Sequence, residues 1–434
     1  MALRPASSRR LLLAAAFLGH SQSGGLLHLP ACPPASRPMA QPSEVPQIFK
    51  PETVRGTAGY FRLGQTPAGL WWLIDPDGQP FFLRAVNEVS GAEGSPHDPG
   101  ARLRAWGFNA LGVGAEAALR EEGLPFVATV DFCAAGALIH TAGARLPDVF
   151  DPEWPKAAAV RAGELCLPLC ERRDLMGWIT DDQPGWAQPG PAGRPALLQI
   201  CLSLEPGFAA YHAAWDFVLA LHGGRLEALA KAWAQPITNK EVVRELTRTE
   251  QGIATRGYLR DDARWSREFA RRYFALTSAA IRAHDHNHLV FGCRFGGTAG
   301  AAVLAEEVYP AIDAPWIDLD DLALVPPGPV LAGDFTWVDP RFLGAPGARR
   351  QRGLTSVERM LRRGRTVLER AALHPAVTGY AWSQWRDRTG EQPPFAGGLV
   401  HENDTAAREH TELLADLNAR VHALRSSAPP LSSP

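Results

Sequence analysis

From Gly59 to His422 short apolar runs alternate with longer amphipathic stretches, and this alternation restricts the fold more than any other property of the sequence. Trp71-Trp72-Leu73-Ile74 and Phe81-Phe82-Leu83 flank Asp75-Pro76-Asp77-Gly78, two apolar runs around an Asp-Gly turn, which predicts a β-hairpin. Its second arm continues into a first strand over Arg84 to Val89. Seven more strands are predicted at Phe108 to Val113, Phe126 to Phe132, Met176 to Thr180, Leu289 to Arg294, Trp316 to Leu322, Val330 to Phe335 and Val377 to Trp382. Helical stretches separate them: Arg102 to Trp106, Ala117 to Glu122, Pro155 to Leu169, Tyr211 to Leu221, Leu226 to Ala234, Asp261 to Ala283, Ala301 to Val308, Ser356 to Ala372 and Ala406 to His422. Strand alternating with helix signals a parallel sheet with helical crossovers, and eight such strands close into an α/β (β/α)8 TIM barrel. A doubly wound sheet also alternates, but no Gly-x-Gly-x-x-Gly turn follows the first strand to support a dinucleotide site.

Two connections depart from the regular pattern. Residues 184–260 form a long insertion after strand four, on the side where loops build the active-site face, and it is expected to cover the cleft. Between strands six and seven, Ala323 to Pro329 is too short for a helix, so the sixth helix is expected to be missing.

The termini read differently from the middle. Arg9-Arg10 followed by the apolar run Leu11 to Leu18 and the small, polar stretch Gly19 to Gly25 resembles an export signal of the twin-arginine kind, although no clean Ala-x-Ala site follows. Residues 1–47 are therefore expected to be a signal peptide and a Pro- and Ser-rich disordered linker, 48–425 the barrel and 426–434 a disordered tail. A secreted or periplasmic location follows if the signal works, and a cytoplasmic one otherwise. No run of 18 apolar residues predicts a membrane span. A net charge of -2 provides no field to gather nucleic acid. The one basic stretch, Arg341 to Arg370 with nine arginines, reads as a solvated face, because no aromatic residues interleave with them. The six cysteines, Cys32, Cys133, Cys166, Cys170, Cys201 and Cys293, are scattered without a compact framework and read as free thiols.

A family resemblance covers about Tyr60 to Leu424. Gly69 to Phe82 (GLWWLIDPDGQPFF), Leu103-Arg104-Ala105-Trp106-Gly107-Phe108-Asn109 and Trp382-Ser383-Gln384-Trp385-Arg386-Asp387 resemble strand segments of agarase-like glycoside hydrolases, within the clan of retaining (β/α)8 glycosidases. The resemblance implies an acid/base glutamate after an asparagine at the end of strand four and a nucleophilic glutamate ending strand seven. Thr180-Asp181-Asp182-Gln183 and Ala332-Gly333-Asp334-Phe335 stand at those places, which puts Asp182 on the asparagine, Gln183 on the acid/base and Asp334 on the nucleophile. A glutamine amide has no proton to give at neutral pH, so general acid catalysis worth about 10²- to 10⁴-fold is absent. Aspartate keeps the charge but reaches one methylene less far toward the anomeric carbon. Inverting enzymes hold their carboxyl groups ~6.5 to 9.5 Å apart with a water between them, and Asp334 could activate such a water if Asp181 or Asp182 supplied the acid. Side chains alternate along a strand, so only one of these two shares the inward direction of Gln183.

The resemblance also implies saccharide contacts. Trp382 and Trp385 near the eighth strand end, Trp337 after the seventh and Trp186 after the fourth offer indole faces for sugar rings, while Arg294 and Arg386 can bind hydroxyls. Asn87 ends strand one with Glu88 beside it, read as a residue of the cleft rim. His284-Asp285-His286-Asn287-His288 has metal-ligand residue types, but it precedes strand five on the face opposite the site and reads as a structural turn. No metal and no cofactor is expected. The sequence thus supports an agarase-like hydrolase of β-linked polysaccharide with altered machinery, or a non-catalytic pseudo-glycosidase that binds a polysaccharide or oligosaccharide.

Overall fold

Eight parallel strands surround one axis in the computed structural model: β1 (Leu83–Val86), β2 (Ala110–Leu111), β3 (Phe126–Thr129), β4 (Leu175–Asp182), β5 (Leu289–Arg294), β6 (Trp316–Ile317), β7 (Val330–Phe335) and β8 (Val377–Trp382). Residues 48–92, 94–141, 144–185, 196–249, 252–295, 300, 302–304, 308, 311–319, 322–324, 327–336, 357–388 and 397–427 are described. Hydrogen bonding runs in the order β5-β4-β3-β2-β1-β8-β7-β6, all pairs parallel, which makes a nearly closed (β/α)8 barrel with every carboxyl end at one mouth. Among the described residues one seam, between β5 and β6, carries no ladder. Asp313 patches it, its backbone N–H donating to the Val290 carbonyl at 2.8 Å and its carboxylate accepting from the Val290 N–H at 2.7 Å.

The strands read as continuous apolar runs because both of their faces are covered. Leu83, Ala85, Ala110, Val127, Leu289, Phe291, Leu331 and Ala381 fill the barrel interior, whereas Val86, Phe126, Ala128, Val330, Ala332, Tyr380 and Trp382 pack against the helices outside. A three-stranded antiparallel sheet, Arg62–Gln65, Trp71–Ile74 and Pro80–Phe81, sends Phe61, Leu63, Trp71 and Leu73 into the interior cluster and so closes the amino end. Arg425, on the last helix Arg408–Ser426, staples that end: it donates to the carbonyls of Ala372 at 2.5 Å and Trp71 at 2.6 Å, with its guanidinium over the Trp72 and Phe82 rings.

Several sequence expectations need correction. Strand six is only Trp316–Ile317 rather than Trp316 to Leu322, and no helix stands between it and β7 among the described residues. The insertion holds two unforeseen helices, Leu197–Ser203 and Lys240–Arg248, beside Ala209–Leu221 and Leu226–Trp233. Three of these helices pack on the 29-residue helix Arg256–His284, where Asp262 accepts from the Leu198 N–H at 2.9 Å and Asp261 accepts from the Trp233 indole at 2.8 Å, while Lys240–Arg248 rests on Leu197–Ser203. Cys170 is disulfide-bonded, contrary to the free-thiol reading, while Cys133, Cys166, Cys201 and Cys293 are free and buried. Residues 1–47, the helix expected over Ala301 to Val308 for the most part, and the tail from residue 428 lie outside the described residues. No described helix is long and apolar enough to cross a membrane.

Candidate active site at the mouth of the barrel

Four strands end in non-glycine residues with left-handed backbone: Glu88 after β1 (φ 58), Asp131 after β3 (φ 58), Gln183 after β4 (φ 49) and Asp334 in β7 (φ 53). Such conformations cost energy and persist only where the surroundings fix them, commonly at functional sites. At Gly333 an added Cβ would meet Trp316 Nε1 at 1.7 Å, so the Trp316 indole lies against the backbone immediately before Asp334.

Three carboxylates converge on one guanidinium here. Arg294, the last residue of β5, donates from Nε to Asp334 at 2.7 Å and from Nη1 to Glu88 at 3.2 Å and to Asp182 at 3.1 Å, and its Nη2 reaches the Ser383 carbonyl at 3.4 Å. The register pairs Arg294 with Asp182 across β5 and β4, which explains why that carboxylate is within reach. Asn87, fully buried, accepts from the Val113 N–H at 3.0 Å and donates to Asp334 at 3.3 Å. Burial alone would lower the Arg294 pKa, but Asp334, Asp182 and Glu88 more than reverse this and hold it above its usual range. For Asp182 burial raises the pKa, Arg294 works against the rise, and Asp334 and Glu88 add to it.

The adjacent aspartates of β4 part company as strand alternation requires. Asp181 is 1% exposed and turns away from the mouth, accepting from the Tyr273 hydroxyl and from the Cys133 N–H at 2.8 Å. Burial pushes its pKa up to about 7, with those two hydrogen bonds opposing the rise. Gln183 is exposed, its N–H donates to the Arg294 carbonyl at 2.6 Å, and its amide makes no hydrogen bond among the described residues.

Two of the four expected stacking rings are buried in packing of their own. Trp382 is 0% exposed, its indole N–H donating to the Gly397 carbonyl at 2.9 Å and its ring against Phe335; Ala381 takes the inward direction and Trp382 the helix side. Trp385 is 1% exposed and packs on Trp106 with ring centroids 5.7 Å apart. Neither ring has a free face to offer a sugar. Arg386 is held by Asp404 at 2.9 Å and by the His401 carbonyl. Trp186 and Trp337 lie outside the described residues. Glu88, read from sequence as a rim residue, belongs to the central cluster; the Asn-Glu pair at the end of strand one was the signal for it.

Among the described residues one group of metal-ligand types comes together, and the histidine-rich turn is a second candidate. Asp131, Cys133 and Asp181 bring ligand atoms within 4.8 Å of one another, but burial pushes the Cys133 thiol up, so it keeps its proton, and Asp131 is paired with Arg145 at 3.2 Å. Around His284 to His288, Asp285 accepts from Trp178 at 2.8 Å and pairs with His288 at 2.6 Å, and His284 meets the Ala159 carbonyl. These bonds make a turn below β5.

No family model and no curated protein sequence matches the chain. Solved structures do resemble it. PfGH50B aligns at TM-score 0.64 and 16% identity over 86% of this chain and 67% of its own. An agarase, AgWH50C, aligns at 0.61 and 17% over 85% and 66%, and BpGH50 at 0.63 and 14% over 87% and 84%. The chain thus spans about two thirds of the length of the first two. At these identities the likeness is one of fold, and the chain shares the (β/α)8 barrel of these structures.

Proposed function

We propose that this chain is an agarase-like glycoside hydrolase homologue that engages β-linked polysaccharide or oligosaccharide at the barrel mouth and cleaves it weakly or not at all. One observation carries the reading: the carboxylate at the nucleophile position, Asp334, is held by Arg294 at 2.7 Å and Asn87 at 3.3 Å, while the acid/base position is an amide. A carboxylate with its oxygen in a charge-assisted bond is a poorer nucleophile, and an amide cannot protonate a leaving group. The second reading is an inverting hydrolase with Asp182 as acid, favoured by the upward pull of burial on that group. It is the weaker one, because Asp182 is itself paired with Arg294. Such substrates are extracellular polymers, so export directed by Arg9-Arg10 and Leu11 to Leu18 is part of the proposal, as is the assignment of residues 48–425 to one hydrolase-like unit.

Reducing-end release from agarose and a panel of β-linked polysaccharides, measured on the natural chain and on Gln183→Glu with Asp334→Glu, tests the reading. Binding without turnover in the natural chain and turnover in the double variant is the expected result. Rapid turnover by the natural chain would overturn it, and inversion at the anomeric carbon in that case would establish the Asp182 route.

A further inference from the structure

Arg294 comes from β5 yet meets residues at the ends of β1 and β7, Glu88 and Asp334, and the Ser383 carbonyl just after β8. In the order β5-β4-β3-β2-β1-β8-β7-β6, β5 and β1 are four strands apart, half of the ring. A side chain joining those two ends crosses the barrel axis. The guanidinium therefore sits at the centre of the mouth, and it sits below the surface: its side chain is 3% exposed, against 27% for Glu88, 35% for Asp182 and 12% for Asp334. Nε and Nη1 are committed to carboxylates and Nη2 to the Ser383 carbonyl, so this arginine is poorly placed to serve as a hydroxyl-binding group.

The geometry points to Arg294 as a built-in occupant of the saccharide position, an internal cation closing the space between the β4 and β7 carboxylates that a sugar ring would otherwise enter. This rests on reading the mouth as the saccharide site, and it adds a cause to the weak cleavage proposed above. Changing the two carboxylate positions then restores only slow turnover, because the reacting ring has little room beside the guanidinium. A glycan meets the natural chain only above the plane of Glu88 and Asp182, where contact is shallow.

Arg294→Ala vacates the position, leaving a planar, cation-shaped space lined by Asp334, Asp182, Glu88 and Asn87. Thermal unfolding in millimolar guanidinium chloride, with urea and sodium chloride as controls, reads that space directly. The expected result is a saturable rise in Tm for Arg294→Ala with guanidinium alone and none for the natural chain. Calorimetric titration with agarose oligosaccharides is expected to give affinity at least about tenfold higher for the variant, equivalent to 1.4 kcal/mol. If the alanine variant does not accumulate folded, Arg294→Gln keeps an amide near Asp334 while opening the outer half of the position, and the same two readouts apply. A guanidinium response that is absent, or equal in variant and natural chain, overturns the occupant, as does a measurable oligosaccharide affinity that the variants leave unchanged. Guanidinium rescue with no glycan bound by any form would instead leave the occupant standing and sink the carbohydrate reading.

Discussion

Arg294 at the mouth and Arg425 at the base are both buried guanidinium groups, 2% and 0% exposed, and the fold satisfies them in opposite ways. Three carboxylates surround Arg294 and hold its pKa up. Among the described residues Arg425 has no anion beside it; carbonyls of Ala372, His374 and Trp71 and the faces of Trp72 and Phe82 take its place, and burial pushes its pKa down to about 10. A staple needs acceptors that fit its guanidinium, which carbonyls and aromatic faces supply without further charge. Carboxylates gathered at strained strand ends are not required for that task. Their presence at one end of the barrel only is what separates a site from a joint.

The largest effect is expected where charge is left unbalanced. Arg294→Met should cost about 3–5 kcal/mol in denaturant unfolding, because three carboxylates then face one another without their cation. The Asp182 pKa, already raised by burial, would rise further without the cation, so the deficit grows as pH rises through it and shrinks on acidification; a pH-independent deficit would break the contrast. Asp181 is a buried carboxylate met by the Tyr273 hydroxyl and the Cys133 N–H, hydrogen bonds that do not offset its burial. It keeps its proton in the folded state up to about pH 7 and releases it near 3.8 in the unfolded chain, so folding stability falls as pH rises between those values. At about 1.4 kcal/mol per pKa unit, Asp181→Asn should flatten that window by roughly 2–4 kcal/mol in unfolding measured at pH 5 and pH 8. Arg425→Met should cost less, about 1–3 kcal/mol for the orphaned carbonyls, with no change between those pH values. The smallest effect belongs to Arg388→Ala, since the Arg388–Glu88 pair is 3.7 Å long and half in solvent: under about 1 kcal/mol by thermal unfolding.

The barrel was legible because each strand is an unbroken apolar run, and period and order alone place Gln183 and Asp334 at the ends of β4 and β7. Side-chain direction was not. Trp382 stands at a strand end on the active-site side in sequence, but one step along the pleat sends it into the helix layer, and no pattern in Tyr380-Ala381-Trp382 distinguishes the two outcomes. Arg294 was visible as a strand-end residue without its role, which depends on reach across the axis. Residue types reveal a position on the ring but not which far side a long side chain will meet. The shortness of β6 escaped because Leu319 and Leu322 extend the apolar spacing past Ile317, although Asp318, Asp320 and Asp321 are poor strand formers.

The seam between β5 and β6 has a dynamic consequence. A wall whose neighbours are stitched, among the described residues, by Asp313 alone, itself steadied by Arg282 at 3.2 Å, is where a ring of strands parts at least cost. The Val290 amide, bonded to a side chain rather than to a ladder, should exchange with deuterium before the amides of β8. Breathing of the barrel would then begin in the strand that carries Arg294, so the grip on the three carboxylates loosens from the inside, by a slit in the wall rather than by a lid over the mouth.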